Sequence, residues 1–149
     1  MLYAEIFNSP TLKIDEASDE VTDGITNTEL RAIFGDGGAS RDVRLALRLF
    51  HFGSPAAYLD EGGYDMHSGE ESSLPPQIAQ LNRILSGLDV ALRKMKHPDG
   101  GSYWDHTAVV LGSEFSRTTR GGRFNSARGS DHGGDLATRW MSMPFMGGP

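Results

Sequence analysis

The sequence predicts an α/β protein with a partial doubly wound, mostly parallel sheet and flanking helices. One observation is an amphipathic helix, in which apolar residues recur in steps of three and four from Ile78 to Met95. Another is the nearly continuous apolar run Thr107–Leu111, which is typical of a strand buried on both faces. A shorter run, Ala56–Leu59, leads into a glycine-rich bend. Strand, long helix and strand together indicate a right-handed βαβ unit with parallel strands.

The chain before the first predicted strand is expected to be helical after an irregular start. Residues 1–24 are acidic and polar, so we expect an exposed segment there. Thr26 or Thr28 is expected to cap a short helix that ends before Gly35. Ser40 is expected to cap a second helix. Its apolar stripe comprises Val43, Ala46, Leu47 and Phe50, and Arg41, Arg44 and Arg48 lie mostly off it.

The long helix is predicted to open at Pro75 and Pro76 and to stop in the turn His97–Gly101. Asp105 and His106 stand just before the second strand, and we interpret them as a helix-type cap and a surface pair. His51, near the end of the second helix, is interpreted as a packing or dipole histidine and not as a ligand.

Composition and length bound the class of protein. The 149 residues suffice for one α/β domain, and the 19 glycines indicate many loops. The chain has no cysteine, which excludes disulfides and thiolate metal sites. Its start lacks the pattern of a secretory signal, and no run is long enough to span a bilayer, so a soluble chain without a membrane partner is expected. The net charge of −6 argues against nucleic acid as a partner.

Three clusters of metal-type side chains follow turns or strand ends. Asp65 and His67 stand two residues apart, and in an extended segment such residues point to the same side. Glu114 follows the second predicted strand, and Asp131 precedes His132 in a later glycine-rich stretch. Because parallel strands of a βαβ unit end at the same sheet edge, the first two clusters are expected to meet. Oxygen and imidazole ligands suit a divalent metal such as Zn²⁺ or Mn²⁺.

Each cluster also has an ordinary structural interpretation. Asp65 is compatible with an Asx-turn beside an exposed histidine, and Asp131–His132 with a polar turn. Glu114 is compatible with an ion pair to Arg117 or Arg120. The basic loop that follows Glu114 holds Arg117, Arg120, Arg123 and Arg128, either as a solvated loop or as an anion-binding rim.

Three short motifs follow one another at Gly62–Ser68, Gly112–Thr118 and Gly129–Gly133. In this order they resemble the uncharacterised sulfatase-like family of the alkaline phosphatase superfamily. The resemblance covers residues 26–148, with Tyr64 where the family has tryptophan and Ser116 where it has glycine.

The resemblance implies a truncated, alkaline phosphatase-like version of the doubly wound fold, with a two-metal site at the strand ends. Asp65 and His67 would serve one metal, Glu114 the second, and Asp131 and His132 would complete the set. Zn²⁺ or Mn²⁺ is expected first, with Mg²⁺, Ca²⁺ or Fe as alternatives. The resemblance also suggests that the parent protein is exported.

The resulting hypothesis is a metal-dependent hydrolase of small anionic phosphate or sulfate esters. The superfamily's nucleophile lies in an N-terminal half that the resemblance does not cover, so water is the expected nucleophile. His132 or His67 is the expected base if it is not a ligand, and Arg117 and its neighbouring arginines are expected to hold the anion.

Two other hypotheses stay open on the sequence. One is a metal-independent carboxylic-ester hydrolase that uses Ser113 or Ser130 with His132, although Ser113 lacks a Gly-x-Ser-x-Gly elbow. The other is a non-catalytic, metal-binding fragment that oligomerises through exposed sheet edges. A homo-oligomer is expected because a truncated sheet leaves an edge uncovered.

Overall fold

The computed structural model describes residues 23–66, 69–113 and 143–148. Two units divide the chain, Met1–Leu59 and Asp60–Pro149. The described elements are α1 (Asn27–Phe34), α2 (Gly38–His51), α3 (Glu70–Lys94), a 3-10 helix (Tyr103–His106), β1 (Ala108–Val110) and β2 (Phe145–Gly147). Among these helices, none combines the length and the apolar character needed to cross a bilayer.

Helix α1 of the first unit begins with a reciprocal cap. The Glu29 N–H donates to the Thr26 hydroxyl at 3.1 Å, and the Thr26 N–H donates to the Glu29 carboxylate at 2.9 Å. These bonds satisfy two donors that a helix start otherwise leaves without partners. The helix ends where Gly35, at φ 84°, donates its N–H to the Arg31 carbonyl. Of the two predicted caps, Thr26 and Thr28, the structure has Thr26, and the predicted end of the helix before Gly35 is confirmed.

Helix α2 begins at Gly38 and not after Ser40, so the predicted Ser40 cap is wrong. Ser40 lies inside the first turn, and its buried hydroxyl donates to the Phe34 carbonyl at 2.7 Å. The last carbonyls of a helix lack intrahelical donors, and the Ser40 hydroxyl donates a hydrogen bond to one of these carbonyls in α1. Its hydroxyl therefore joins α2 to the end of α1 and does not cap its own helix.

The two helices of the first unit bury an apolar face together with two arginines. The buried apolar residues are Ile25, Leu30, Phe34, Val43, Ala46 and Leu47. Arg44 is 7% exposed and Arg48 is 6% exposed, although the spacing placed both mostly off the stripe. The Arg44 guanidinium donates to the Gly35 carbonyl. Arg48 donates through Nε and Nη2 to the side-chain oxygen of Asn27, at 2.9 Å and 2.7 Å.

The strand predicted at Ala56–Leu59 is not formed. Residues 56–60 have no regular secondary structure, and Tyr58 is 78% exposed. A strand is stable only when a neighbouring strand pairs with its N–H and C=O groups. Among the described residues this short apolar run has no neighbouring strand to pair with, which accounts for its irregular backbone.

Helix α3 starts five residues earlier than the predicted opening at Pro75. Its first turn closes on Gly69, whose carbonyl accepts from the Ser73 N–H at 3.1 Å. Proline lacks an N–H, so Pro75 and Pro76 lie inside the helix without contributing two of its hydrogen bonds. The apolar stripe is buried in its later part, at Ile84, Leu88, Ala91, Leu92 and Met95, whereas Ile78 is 48% exposed.

A tight turn connects α3 to the 3-10 helix. Ser102 opens that helix by donating its N–H and its hydroxyl to the Asp105 carboxylate, at 2.8 Å and 2.7 Å. The interpretation of Asp105 as a cap is confirmed. These two bonds favour the ionised carboxylate, so the pKa of Asp105 is lowered, first by the backbone bond from Ser102 and then by the hydroxyl bond.

Strand β1 pairs antiparallel with β2, with Val109 opposite Met146. In the described part of the chain this two-stranded sheet has no parallel pair, and the predicted βαβ pairing is not formed there. Val110 is 48% exposed, so β1 is not the fully buried strand that its apolar run suggested. The doubly wound parallel sheet of the wider fold stays a prediction.

Candidate functional site

Two of the predicted site residues, Asp65 and Ser113, lie in the part of the chain that the structure describes. The others fall outside the described residues: His67, Glu114, Arg117, Asp131 and His132. Their convergence with Asp65 therefore stays a prediction. Within residues 23–66, 69–113 and 143–148, no three His, Asp or Glu side chains are grouped so that they could hold a metal ion.

Asp65 lies at the apex of a three-residue turn. The Met66 N–H donates to the Tyr64 carbonyl at 2.9 Å, which is the hydrogen bond of a γ-turn. Asp65 is exposed, whereas Tyr64 and Met66 on either side of it are half-buried. The sequence predicted an extended segment here, and residues 61–66 have neither regular secondary structure nor a sharp bend, so the γ-turn bond lies within an irregular segment in which Asp65 is exposed.

Two hydrogen bonds hold this turn on helix α3. The Tyr64 hydroxyl donates to the backbone carbonyl of Gln77 at 3.1 Å. The Gln77 side-chain amide donates to the Gly63 carbonyl at 2.5 Å. Each bond joins the loop to the same residue of the helix, one through its backbone and one through its side chain. The segment that presents Asp65 is therefore attached to α3 immediately before the aspartate.

Gly63 has a conformation that fits this attachment. Its φ of 91° lies in the left-handed region, which side chains other than glycine rarely adopt. A Cβ at this position would lie 2.6 Å from the Gln77 side-chain nitrogen. The position therefore needs glycine for its backbone angle and for the close approach of Gln77.

The Tyr64 hydroxyl is kept protonated by its surroundings. Burial raises the pKa of Tyr64 above its ordinary value, and the nearby Glu61 carboxylate raises it further. Both effects disfavour the phenolate. Tyr64 consequently remains a hydrogen-bond donor to Gln77 at neutral pH and above.

Ser113, one of the two serines of the alternative hydrolase hypothesis, lies three residues after β1 and is exposed. The other, Ser130, falls outside the described residues. The chain leading to Ser113 is fixed by the Leu111 N–H, which donates to the Pro144 carbonyl at 3.0 Å. Its predicted partner His132 lies outside the described residues, so the structure tests neither the pair nor a triad.

Three histidines lie in the described part of the chain, His51, His97 and His106, and each contacts another side chain. His51 Nδ1 lies 3.1 Å from the Asp23 carboxylate, at the end of α2. The rings of His97 and His106 stack at 3.9 Å with an interplanar angle of 16°. A metal ion lies in the plane of each imidazole that binds it, so two parallel stacked rings do not converge on one ion. His51 ends α2, and His97 and His106 lie in the turn and the 3-10 helix that follow α3.

Gln77 holds Gly63 and Tyr64 on α3, and sequence reasoning missed this role. Fourteen residues separate it from Gly63, and the segment between them contains the start of α3. No periodic pattern or motif spacing connects a helix glutamine with a loop glycine over that distance. The only sequence signal was the unusual pair of glycines at Gly62 and Gly63, which we interpreted as a bend.

Residues 12–143 match the family described as "Protein of unknown function (DUF1501)", and the chain belongs to this family. No curated protein matches the chain, and no solved structure matches it.

Proposed function

We propose that this protein is a divalent-metal-dependent hydrolase of phosphate or sulfate esters. The proposal rests on the three ligand motifs of the sequence and on one structural observation that supports it. That observation is the anchored turn at residues 63–66, which presents the exposed Asp65 while Gly63 and Tyr64 are bonded to α3.

The donor set fits a hard or borderline divalent cation. Asp65 offers an exposed carboxylate, and carboxylate oxygens are among the ligands that divalent cations take in proteins. With His67, Glu114, Asp131 and His132 it would form a mixed oxygen and nitrogen set of the kind that Zn²⁺ and Mn²⁺ take. When bound, such a metal polarises the ester and favours ionisation of a water molecule.

The chain's own residues would complete the reaction around that centre. The arginines led by Arg117 would bind the anionic ester oxygens, because guanidinium groups pair with phosphate and sulfate through two hydrogen bonds. An imidazole nitrogen of His132 would accept the proton of the attacking water if that nitrogen is not a ligand.

Metal binding is the test of this proposal. Mn²⁺ and Zn²⁺ should be titrated calorimetrically into chelator-treated protein and into Asp65→Asn, which keeps the side-chain shape and removes the charge. Asp60→Asn is the matched control, because Asp60 is an exposed aspartate of the same loop. Loss of outer-shell partners alone typically costs 10–100-fold in metal affinity, so Asp65→Asn is expected to lose at least about tenfold.

Activity follows from the same samples. Hydrolysis of nitrophenyl phosphate and nitrophenyl sulfate is expected to require added metal and to fall in Asp65→Asn but not in Asp60→Asn. Absence of metal binding by the unmodified chain would overturn the proposal. Chelator-resistant hydrolysis of a carboxylic ester that disappears in Ser113→Ala would favour the serine mechanism instead.

A further inference from the structure

We infer that Gln77 is a positioning residue for the metal ligand Asp65, acting through the Gly63 carbonyl. This inference rests on the proposed function and deepens it. Its first observation is the direct bond of 2.5 Å from the Gln77 side-chain amide to Gly63, two residues before Asp65. A residue that fixes the backbone two positions from a ligand limits where the ligand's carboxylate can lie.

The second observation is that Gln77 makes two hydrogen bonds to the loop, one through its side chain and one through its backbone. The same residue accepts the Tyr64 hydroxyl through its backbone carbonyl, so its two groups hold consecutive residues of the loop. Gly63 and Tyr64 are thereby bonded to one point on a helix of 25 residues. A loop attached at two consecutive residues retains less freedom at the third than a loop attached at one.

The third observation concerns the oxygen of the Gln77 side-chain amide. Its Oε1 is buried and has no hydrogen-bond partner in the described part of the chain. A buried acceptor without a partner is unfavourable, so bonding of its oxygen does not account for the position of the side chain. The bond that its nitrogen makes to Gly63 is the contact that accounts for the orientation.

The requirement for glycine at position 63 supports the same inference. The Gln77 nitrogen approaches Gly63 so closely that a Cβ there would lie at 2.6 Å. The length of the Gln77 side chain on α3 therefore fits the absence of a side chain at Gly63 in the loop. The function of this match is to hold the turn at Asp65 in one arrangement before the metal arrives, which reduces the ordering cost of binding.

The experiment compares Gln77→Met with Gln80→Met. Methionine has nearly the length of glutamine and cannot donate to Gly63, and Gln80 is a half-buried glutamine three residues further along the same helix. Mn²⁺ affinity is measured by calorimetry, and order in the loop by hydrogen exchange of the amides of residues 62–66. Gln77→Lys, which restores a donor of similar reach, serves as the rescue variant.

We expect Gln77→Met to bind Mn²⁺ about 10–100-fold more weakly and to exchange its loop amides faster, with a fall in the unfolding midpoint no larger than that of Tyr64→Phe, which loses the neighbouring bond to Gln77. Gln80→Met should match the unmodified chain, and Gln77→Lys should regain part of the affinity. A general structural role would lower the unfolding midpoint further than Tyr64→Phe does, and Gln77→Lys would then not regain the lost Mn²⁺ affinity.

The two proposals fail in different ways. If Gln77→Met leaves both loop exchange and Mn²⁺ affinity unchanged, the positioning role is wrong while the metal site stands. If the unmodified chain binds no Mn²⁺, the proposed function is wrong, and with it the metal-directed role of Gln77.

Discussion

The Tyr64 hydroxyl donates to the backbone carbonyl of Gln77 at 3.1 Å, from a loop residue to a helix residue thirteen positions later. Beside it, the Gln77 side chain donates back to the neighbouring Gly63. This exchange joins the loop of the proposed ligand Asp65 to the protein's longest described helix. It also makes the loop testable by substitutions that leave Asp65 in place.

Gly63→Ala is expected to destabilise the protein by about 1–2 kcal/mol, because the new Cβ meets a left-handed backbone angle. The Cβ would also displace the Gln77 amide. Denaturant unfolding measures the change. Gly62→Ala is the matched control, since a Cβ there has nothing within 4 Å, and it should change stability by less than about 0.5 kcal/mol.

A double-mutant cycle tests whether Gly63 and Gln77 are energetically coupled. With Gln77→Met already present, Gly63→Ala no longer displaces a hydrogen bond, so the effects of the two substitutions should not add. Full additivity would show that the two residues are not coupled.

Tyr64→Phe is expected to lower stability by about 1 kcal/mol at neutral pH, through loss of the bond to Gln77. The folded-state pKa of Tyr64 is raised, so its contribution is fully present below the ordinary tyrosine pKa of about 10 and is lost as pH rises through the folded pKa. Urea unfolding of both proteins from pH 8 to 11 should show the stability difference shrinking above pH 10. A constant difference would contradict this assignment.

Arg48→Lys is expected to cost about 2 kcal/mol, because a lysine ammonium cannot reproduce the two bonds that Nε and Nη2 make to Asn27. The site is nearly closed to solvent, so water replaces the lost bond poorly. Thermal and denaturant unfolding measure the loss. Arg83→Lys, at an exposed position of α3, is the control and should be nearly neutral.

Thr26→Ala is expected to remove about 1 kcal/mol of stability, since the Glu29 N–H loses its acceptor at the start of α1. Thr26→Ser keeps the hydroxyl and should retain most of that stability. Equal losses in both variants would mean that the methyl group, and not the cap, is responsible. Helix content by circular dichroism accompanies the unfolding measurement.

Asp105→Asn is expected to matter less as the solution becomes more acidic. The folded-state pKa of Asp105 is lowered, so its contribution is present above the ordinary aspartate pKa of about 3.8 and is lost as pH falls through the folded pKa. The stability difference between the two proteins, followed from pH 6 to pH 2, should therefore shrink. Ser102→Ala removes one of the two bonds to the carboxylate and should reproduce part of the effect.

The helices and the motifs were predictable from the sequence because their signals are local. The cap at Thr26 involves a residue three positions away, and the apolar stripe of α3 repeats every three or four residues. The cap at Asp105 has the same short span. The candidate ligands could also be predicted from the sequence, because the motif of Asp65 and His67 is defined by residue types and spacing and does not depend on tertiary contacts. Their assembly into one site remains a prediction.

Tertiary structure alone decided the features that depend on distant partners. Arg48 is buried because Asn27, 21 residues earlier, accepts its bonds, and Gly63 is bonded to Gln77, 14 residues later. β1 pairs antiparallel with β2, more than thirty residues along the chain, where the pattern of strand, long helix and strand suggested a parallel neighbour. Residue periodicity predicts which faces can be buried, but it does not predict which distant group supplies a hydrogen bond. The sequence by itself therefore determined the helices and the candidate chemistry, and folding decided what holds Asp65 in place.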